Sequence, residues 1–120
     1  ELARSLFNAQ KKLSDNKDEP FYQALELIDK NYQTISLADA ANQLKINKNY
    51  LSNLVKQKSQ QTFTDLVNQK KLMTAKLLIE STELPIDSIC QRVGFSNKTY
   101  FYKKFQDYFN MKPGQMRLDK

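Results

Sequence analysis

The pattern of apolar positions is clearest between Leu84 and Arg117. Pro85 suits the first turn of a helix, and Ile86, Ile89, Cys90 and Val93 recur at helical spacing up to Gly94. After Phe95, either Ser96 or Asn97 can cap a second helix, whose apolar positions Tyr100, Phe101, Phe105, Tyr108 and Phe109 lie three and four residues apart. Two short helices joined by a tight Gly-containing turn predict a helix-turn-helix. Lys98, Thr99, Tyr102, Lys103 and Gln106 fall away from the apolar stripe, and no acid stands between Ser96 and Gln106. A basic, acid-free outer face suits a helix that lies in a DNA major groove, and it is equally common on ordinary solvated helices.

The same organisation occurs earlier in the chain. Ser36 with Asp39 three residues on resembles a capping arrangement, and Leu37, Ala40, Ala41 and Leu44 give one apolar face. A turn at Lys45 and Ile46 leads to Asn47, a good cap for a helix with Tyr50, Leu51, Leu54 and Val55 inside. Leu37, Ala40, Ala41 and Leu44 match Ile86, Ile89, Cys90 and Val93 at an offset of 49, and beyond the turn the offset becomes 50. This is an internal repeat with one residue inserted in the turn. The outer surface also recurs: four lysines and no acid lie between Lys45 and Lys58, with Asn49, Ser52, Asn53 and Lys56 facing outward.

Other segments supply packing. Residues 1–13 place Leu2, Leu6, Ala9 and Leu13 along one side of a short helix or a partly ordered terminus, and Ser14 to Glu19 reads as a linker. Pro20 opens a helix with Asp18 or Glu19 available as its cap and Phe21, Ala24, Leu25, Ile28 and Tyr32 in a stripe. Thr62 to Ser81 reads as one long helix with Phe63, Leu66, Val67, Met73, Leu77 and Leu78 buried. At 1.5 Å per residue it would span about 30 Å, close to the roughly 34 Å of one DNA turn. The expected organisation is therefore all-α: a linker or N-terminal helix over 1–19, a first helix-turn-helix over 20–61, a connecting helix over 62–81 and a second helix-turn-helix over 82–120.

Charge sharpens this picture. The net charge of +6 favours an anionic partner, and it is uneven: residues 1–34 carry five basic and six acidic side chains, so fourteen and seven fall in 35–120, where both repeats lie. Cys90 is the single cysteine and reads as a small core residue. With no membrane-length apolar run and no signal-peptide pattern, the chain reads as cytoplasmic, and because it begins at Glu1 without a methionine it is expected to be part of a longer protein.

These residues resemble the DNA-binding domain of the AraC/XylS family of bacterial transcription regulators. The resemblance covers about residues 20–118 and is carried by Ala75, Leu77 and Leu78, Ile86 and Ile89, Val93-Gly94-Phe95, Tyr100-Phe101, Phe105, Pro113 and Arg117. It implies about seven helices, with two recognition helices entering successive major-groove segments of double-stranded DNA. By position, base-edge contacts would come from Asn49, Ser52, Asn53, Lys98, Thr99 and Lys103, and phosphate contacts from Lys48, Lys56, Asn97 and Lys104. It also implies an upstream sensor or receiver domain and contact with RNA polymerase. The chain departs from the family where glycine is common, at Gln60 and Asn110; where alanine is common, at Cys90; and where an aromatic is common, at Met116. Asn110 suits a left-handed turn better than Gln60 does.

An enzyme is not expected. Histidine is absent, glycine occurs only at 94 and 114, and the scattered carboxylates Asp39, Asp65 and Asp87 stand at helix starts, where capping and dipole effects account for them. No cofactor or metal is implied. The alternative to DNA reading is a helical interaction module that contacts RNA polymerase or another regulator.

Overall fold

The computed structural model describes residues 19–118, and every regular element among them is a helix. In chain order these are α1 (Glu19–Asn31), α2 (Leu37–Leu44), α3 (Lys48–Ser59), α4 (Phe63–Ser81), α5 (Ile86–Arg92), α6 (Lys98–Phe109) and α7 (Pro113–Leu118). The helix expected within residues 1–13, and the linker up to residue 18, lie outside the described residues. Glu19, expected in that linker, is the first residue of α1. The helices fall into two compact units, one holding 19–31 and Ile35–Leu66, the other Tyr32–Thr34 and 67–118, with the division inside α4.

In the first unit, Ser36 and Asp39 close the capping box that opens α2: the Asp39 N–H donates to Ser36 Oγ at 3.1 Å, and the Ser36 N–H to Asp39 Oδ2 at 3.3 Å. A second box opens α4, where Thr62 Oγ1 accepts from the Asp65 N–H at 3.0 Å and Asp65 Oδ2 from the Thr62 N–H at 3.1 Å. Phe21, Ala24 and Ile28 of α1 are buried, as are Ala40 and Ala41 of α2, Leu51, Leu54 and Val55 of α3, and Phe63 of α4.

The second unit uses larger side chains at the repeated positions. Ile89 and Cys90 stand where Ala40 and Ala41 stand, and Phe101 and Phe105 where Leu51 and Val55 stand, all of them buried. They pack with Leu72, Ala75, Ile79, Val93, Phe95 and Met116 into one core. Phe95, Phe101 and Phe105 form a chain of tilted rings with centroids 5.2 and 5.8 Å apart. Arg117 of α7 binds the end of α4 and the segment that leads to α5: Nε donates to the Ile79 carbonyl at 3.2 Å and Nη1 to the Leu84 carbonyl at 2.6 Å. Ile79 lies in the last turn of α4, whose carbonyls have no helical partner, so a charged donor is well placed there. Its Nη2 is buried without a partner, which offsets part of the gain.

The repeat extends to the backbone. The Ile46 N–H donates to the Ala41 carbonyl and the Lys45 N–H to that of Asn42, while the Phe95 N–H donates to Cys90 and the Gly94 N–H to Gln91, each pair offset by 49. These are the two bonds of a Schellman turn, which requires a left-handed residue at its C′ position. Lys45 takes it with φ 59° and Gly94 with φ 100°. The caps that follow, Asn47 and Asn97, are offset by 50, so the inserted residue is Ser96. The second helices of both repeats, α3 and α6, then end on left-handed residues, Gln60 at φ 64° and Asn110 at φ 57°, whose N–H groups donate to the carbonyls of Lys56 and Gln106. Gln60 thus keeps the turn that glycine commonly makes.

Several buried positions differ from the periodic reading. Tyr50, Tyr100 and Tyr108 are exposed; each carries a hydroxyl that needs a polar partner, which for Tyr100 is the Asn68 side-chain amide at 3.0 Å, and helical spacing alone does not separate tyrosine from phenylalanine. In α4 the buried residues are Phe63, Val67, Leu72, Ala75 and Ile79, whereas Met73 and Leu77 are 48% and 61% exposed. The buried positions of α4 do not share one stripe, so a single-face count selects the wrong residues.

Gly94 differs from Lys45 in one respect that decides what can stand there. A Cβ on Gly94 would overlap the Gln33 carbonyl oxygen and come within 2.8 Å of the Gln33 Cα. Gly94→Ala is therefore expected to destabilise the second unit by about 2 kcal/mol or more, from strain and overlap together. Lys45→Gly relieves a left-handed lysine and adds glycine entropy, terms of about 1 kcal/mol each, and should leave stability nearly unchanged. Thermal melts of the two variants check the contrast.

Candidate nucleic-acid interface

The start of each recognition helix is fixed by an asparagine. Asn47 Oδ1 accepts from the N–H groups of Asn49 and Tyr50 at 2.8 and 3.1 Å, and Asn97 Oδ1 accepts from the Tyr100 N–H at 2.9 Å. Ser96, the other cap considered, is the inserted turn residue. Because Oδ1 of each cap is occupied, only the amide NH2 of Asn97 is left to donate to a phosphate.

In the first unit, Lys48, Asn49, Asn53 and Lys56 are exposed along α3 and Ser52 is half-buried. The unit offers two lysines and two amides on one face, with no acid on the helix. Positively charged and hydrogen-bonding groups so arranged can meet phosphate oxygens and base edges together.

The second unit presents a different surface. Thr99 is exposed, but the lysines of α6 are engaged within the fold. Lys98 Nζ lies 3.1 Å from Asp87 Oδ2, and Lys103 Nζ 3.4 Å from Asp107 Oδ2, one turn further along α6. Lys104 is half-buried with its Nζ 5.5 Å from the centre of the Tyr100 ring. The Tyr102 hydroxyl donates to Asp87 Oδ1 at 3.2 Å. Both ion pairs are more than half exposed, so each is worth about 0–1 kcal/mol and can be exchanged for a phosphate or a base. The Lys103–Asp107 pair was open to sequence reasoning, since it spans four residues of one helix. Asp87 was not, because it reaches Lys98 from the preceding helix.

Half-buried and exposed polar groups hold the turn that precedes α6. Lys71 Nζ donates to the Gly94 carbonyl at 2.9 Å and lies 5.0 Å from the centre of the Phe95 ring; its burial lowers its pKa. Gln33 Nε2 donates to the Arg92 carbonyl at the end of α5 at 2.8 Å. Burial raises the pKa of the Cys90 thiol, and the nearby Asp87 adds to the shift. Burial also raises that of Tyr102, followed by its hydrogen bond to Asp87. A cavity of about 250 Å³ lined by Asp87, Cys90, Gln91, Phe95, Ser96 and Lys98 is smaller than the roughly 300–1,000 Å³ of small-molecule pockets. Among the described residues no group of His, Cys, Asp or Glu could hold a metal ion, and no helix is long and apolar enough to cross a membrane.

Two helix-turn-helix units, each with an exposed, hydrogen-bonding second helix, define the class of double helix-turn-helix domains. A family model described as a helix-turn-helix domain matches residues 40–119. The chain belongs to this family, the AraC-type helix-turn-helix regulators, a family of DNA-binding transcription regulators and not of enzymes. It is 29% identical over 109 residues to the melibiose operon regulatory protein of Escherichia coli K12, a match covering 88% of this chain and 36% of that protein. Its structure is similar to the C-terminal domain of AraT, a response regulator from Geobacillus stearothermophilus, with a TM-score of 0.80, 30% identity, and 84% and 85% of the two chains covered. The fold is also that of the DNA-binding domain of AdpA, a global transcriptional factor, solved with a target DNA: TM-score 0.72, 16% identity, covering 88% of this chain and 93% of that one. The chain spans between 31% and 41% of the length of the first curated relatives it matches.

The two roles assigned to Asn97 can be separated. Asn97→Asp keeps the cap and replaces an amide donor with a negative charge, so melting should change little while affinity for duplex DNA falls. Unchanged melting with unchanged affinity would restrict Asn97 to capping.

Proposed function

We propose that this chain reads double-stranded DNA sequence-specifically as part of a bacterial transcription regulator, with α3 and α6 entering successive major-groove segments. The observation that carries the reading is the recurrence, on both second helices of a backbone-level repeat, of an exposed face built from lysines, amides and hydroxyls. In this reading Asn49, Ser52, Asn53, Lys98, Thr99 and Lys103 face base edges, and Lys48, Lys56, Asn97 and Lys104 face phosphates. Lys104, half-buried against Tyr100, reaches a phosphate from the edge of its helix. Family membership and the likeness to a domain solved on its target DNA support the same conclusion. For the whole regulator the reading includes a cytoplasmic location, an upstream sensor or receiver domain and contact with RNA polymerase; the response-regulator relative supports the upstream domain.

A salt titration of duplex binding tests the electrostatic half of the proposal. Affinity should fall steeply with salt, and Lys56→Ala should reduce the log–log slope by about one unit while weakening all sequences alike. A domain directed at proteins alone would show no such binding.

Base reading is tested at Lys103. Lys103→Ala should cost about 1–3 kcal/mol on a duplex selected from a random pool, and much less on a scrambled one. Phe105→Ala, which removes a buried ring, should instead lower stability by about 3–5 kcal/mol and impair binding to both. Equal losses on the two duplexes for Lys103→Ala would make it a phosphate residue.

A further inference from the structure

Asp87 belongs to the first turn of α5, outside either recognition helix, yet both of its carboxylate oxygens are engaged by α6. Oδ2 accepts from Lys98 Nζ at 3.1 Å and Oδ1 from the Tyr102 hydroxyl at 3.2 Å. Lys98 and Tyr102 stand four residues apart, one turn along the helix, so a single carboxylate fixes two successive positions on the edge of the reading face. The internal repeat provides a comparison within the same chain. At the offsets that align the two units, Ala38 stands in the place of Asp87, Lys48 in that of Lys98 and Ser52 in that of Tyr102. The fold therefore builds a helix-turn-helix without this cluster in the first unit. Nor is Asp87 the cap of its helix: Pro85 occupies that position and makes no side-chain capping bond.

An anion at this place has two consequences for a helix that approaches DNA. It biases a long lysine, which would otherwise sample many rotamers, toward one position of Nζ without locking it there. It also repels phosphate and competes with it for Lys98, which weakens contacts that carry no sequence information. Lys48, with no carboxylate at the matching position, is left as a general phosphate contact.

Resting on the DNA-reading function proposed above, we infer that Asp87 is a positioning residue for specificity: braced by the Tyr102 hydroxyl on one oxygen, it holds Lys98 with the other in the register used to read a base edge and suppresses the binding of Lys98 to arbitrary duplex. Removing it should loosen discrimination and leave the fold intact.

The test uses the full 120-residue chain as wild type, Asp87→Ala, Lys98→Ala and the double variant, with a duplex selected from a random pool by the wild type and its scrambled counterpart. Asp87→Ala is expected to bind the scrambled duplex more tightly, with a log–log salt slope steeper by about one unit, and to lose about fivefold in the ratio of selected to scrambled affinity. In the Lys98→Ala background the same substitution should change that ratio by less than about twofold, because the residue through which it acts is gone. An unchanged ratio in Asp87→Ala would overturn the inference, as would an equal loss in the Lys98→Ala background. A marked fall in melting temperature would make Asp87 a fold element and overturn it too. If the wild type itself does not distinguish selected from scrambled duplex, the DNA-reading function fails first, and this inference fails with it.

Discussion

The close approach at Gly94 governs the second unit. The backbone there takes φ 100° and passes so near Gln33 that no side chain fits, while Lys71 donates to the Gly94 carbonyl from the neighbouring helix. With the turn held on both sides, Phe95 is buried in the core against Phe101 of α6, which ties the turn to the helix that follows it. The exposed face of α6 is thus anchored from behind by a turn whose flanking residues Val93 and Phe95 are buried.

The first unit reaches the same hydrogen-bonding pattern with smaller means. Its turn carries Lys45 in the left-handed conformation, with alanines where the second unit has Ile89 and Cys90, and leucine and valine where it has phenylalanines. Two cores of different volume hold two copies of one backbone motif. The surfaces have diverged further: α3 carries no acid, whereas on α6 Lys103 is paired with Asp107 and Lys98 with Asp87. One chain therefore combines a more loosely charged reading helix with a more restrained one, and a DNA site read by both would be asymmetric in what each half demands.

Most of the helix boundaries and the repeat were legible in the sequence, because Pro85, Gly94, Asn47 and Asn97 are local signals whose physics does not depend on the rest of the fold. Ser36 with Asp39 was legible for the same reason, and Thr62 with Asp65 is an equal signal that the periodic reading passed over. What could not be read were properties that depend on tertiary contacts. Tyr50 and Tyr100 have helical spacing suited to the core but are 48% and 40% exposed, with Tyr100 at the edge of the core beside Phe95, and the buried face of α4 changes along its length. Among the site residues, exposure followed from the pattern except at Ser52 and Lys104, which are half-buried, and the engagement of Lys98 by Asp87 and of Lys104 by Tyr100 did not follow from it.

The central claim is that both units of one chain read DNA together. Hydroxyl-radical footprinting on the selected duplex tests it most directly, with wild type compared against a variant carrying Asn49→Ala and Asn53→Ala on the exposed face of α3. The account predicts two protected windows about one helical turn apart, roughly 10 base pairs, with the variant losing protection mainly in one of them. A single window, left unchanged by the α3 substitutions, would contradict it.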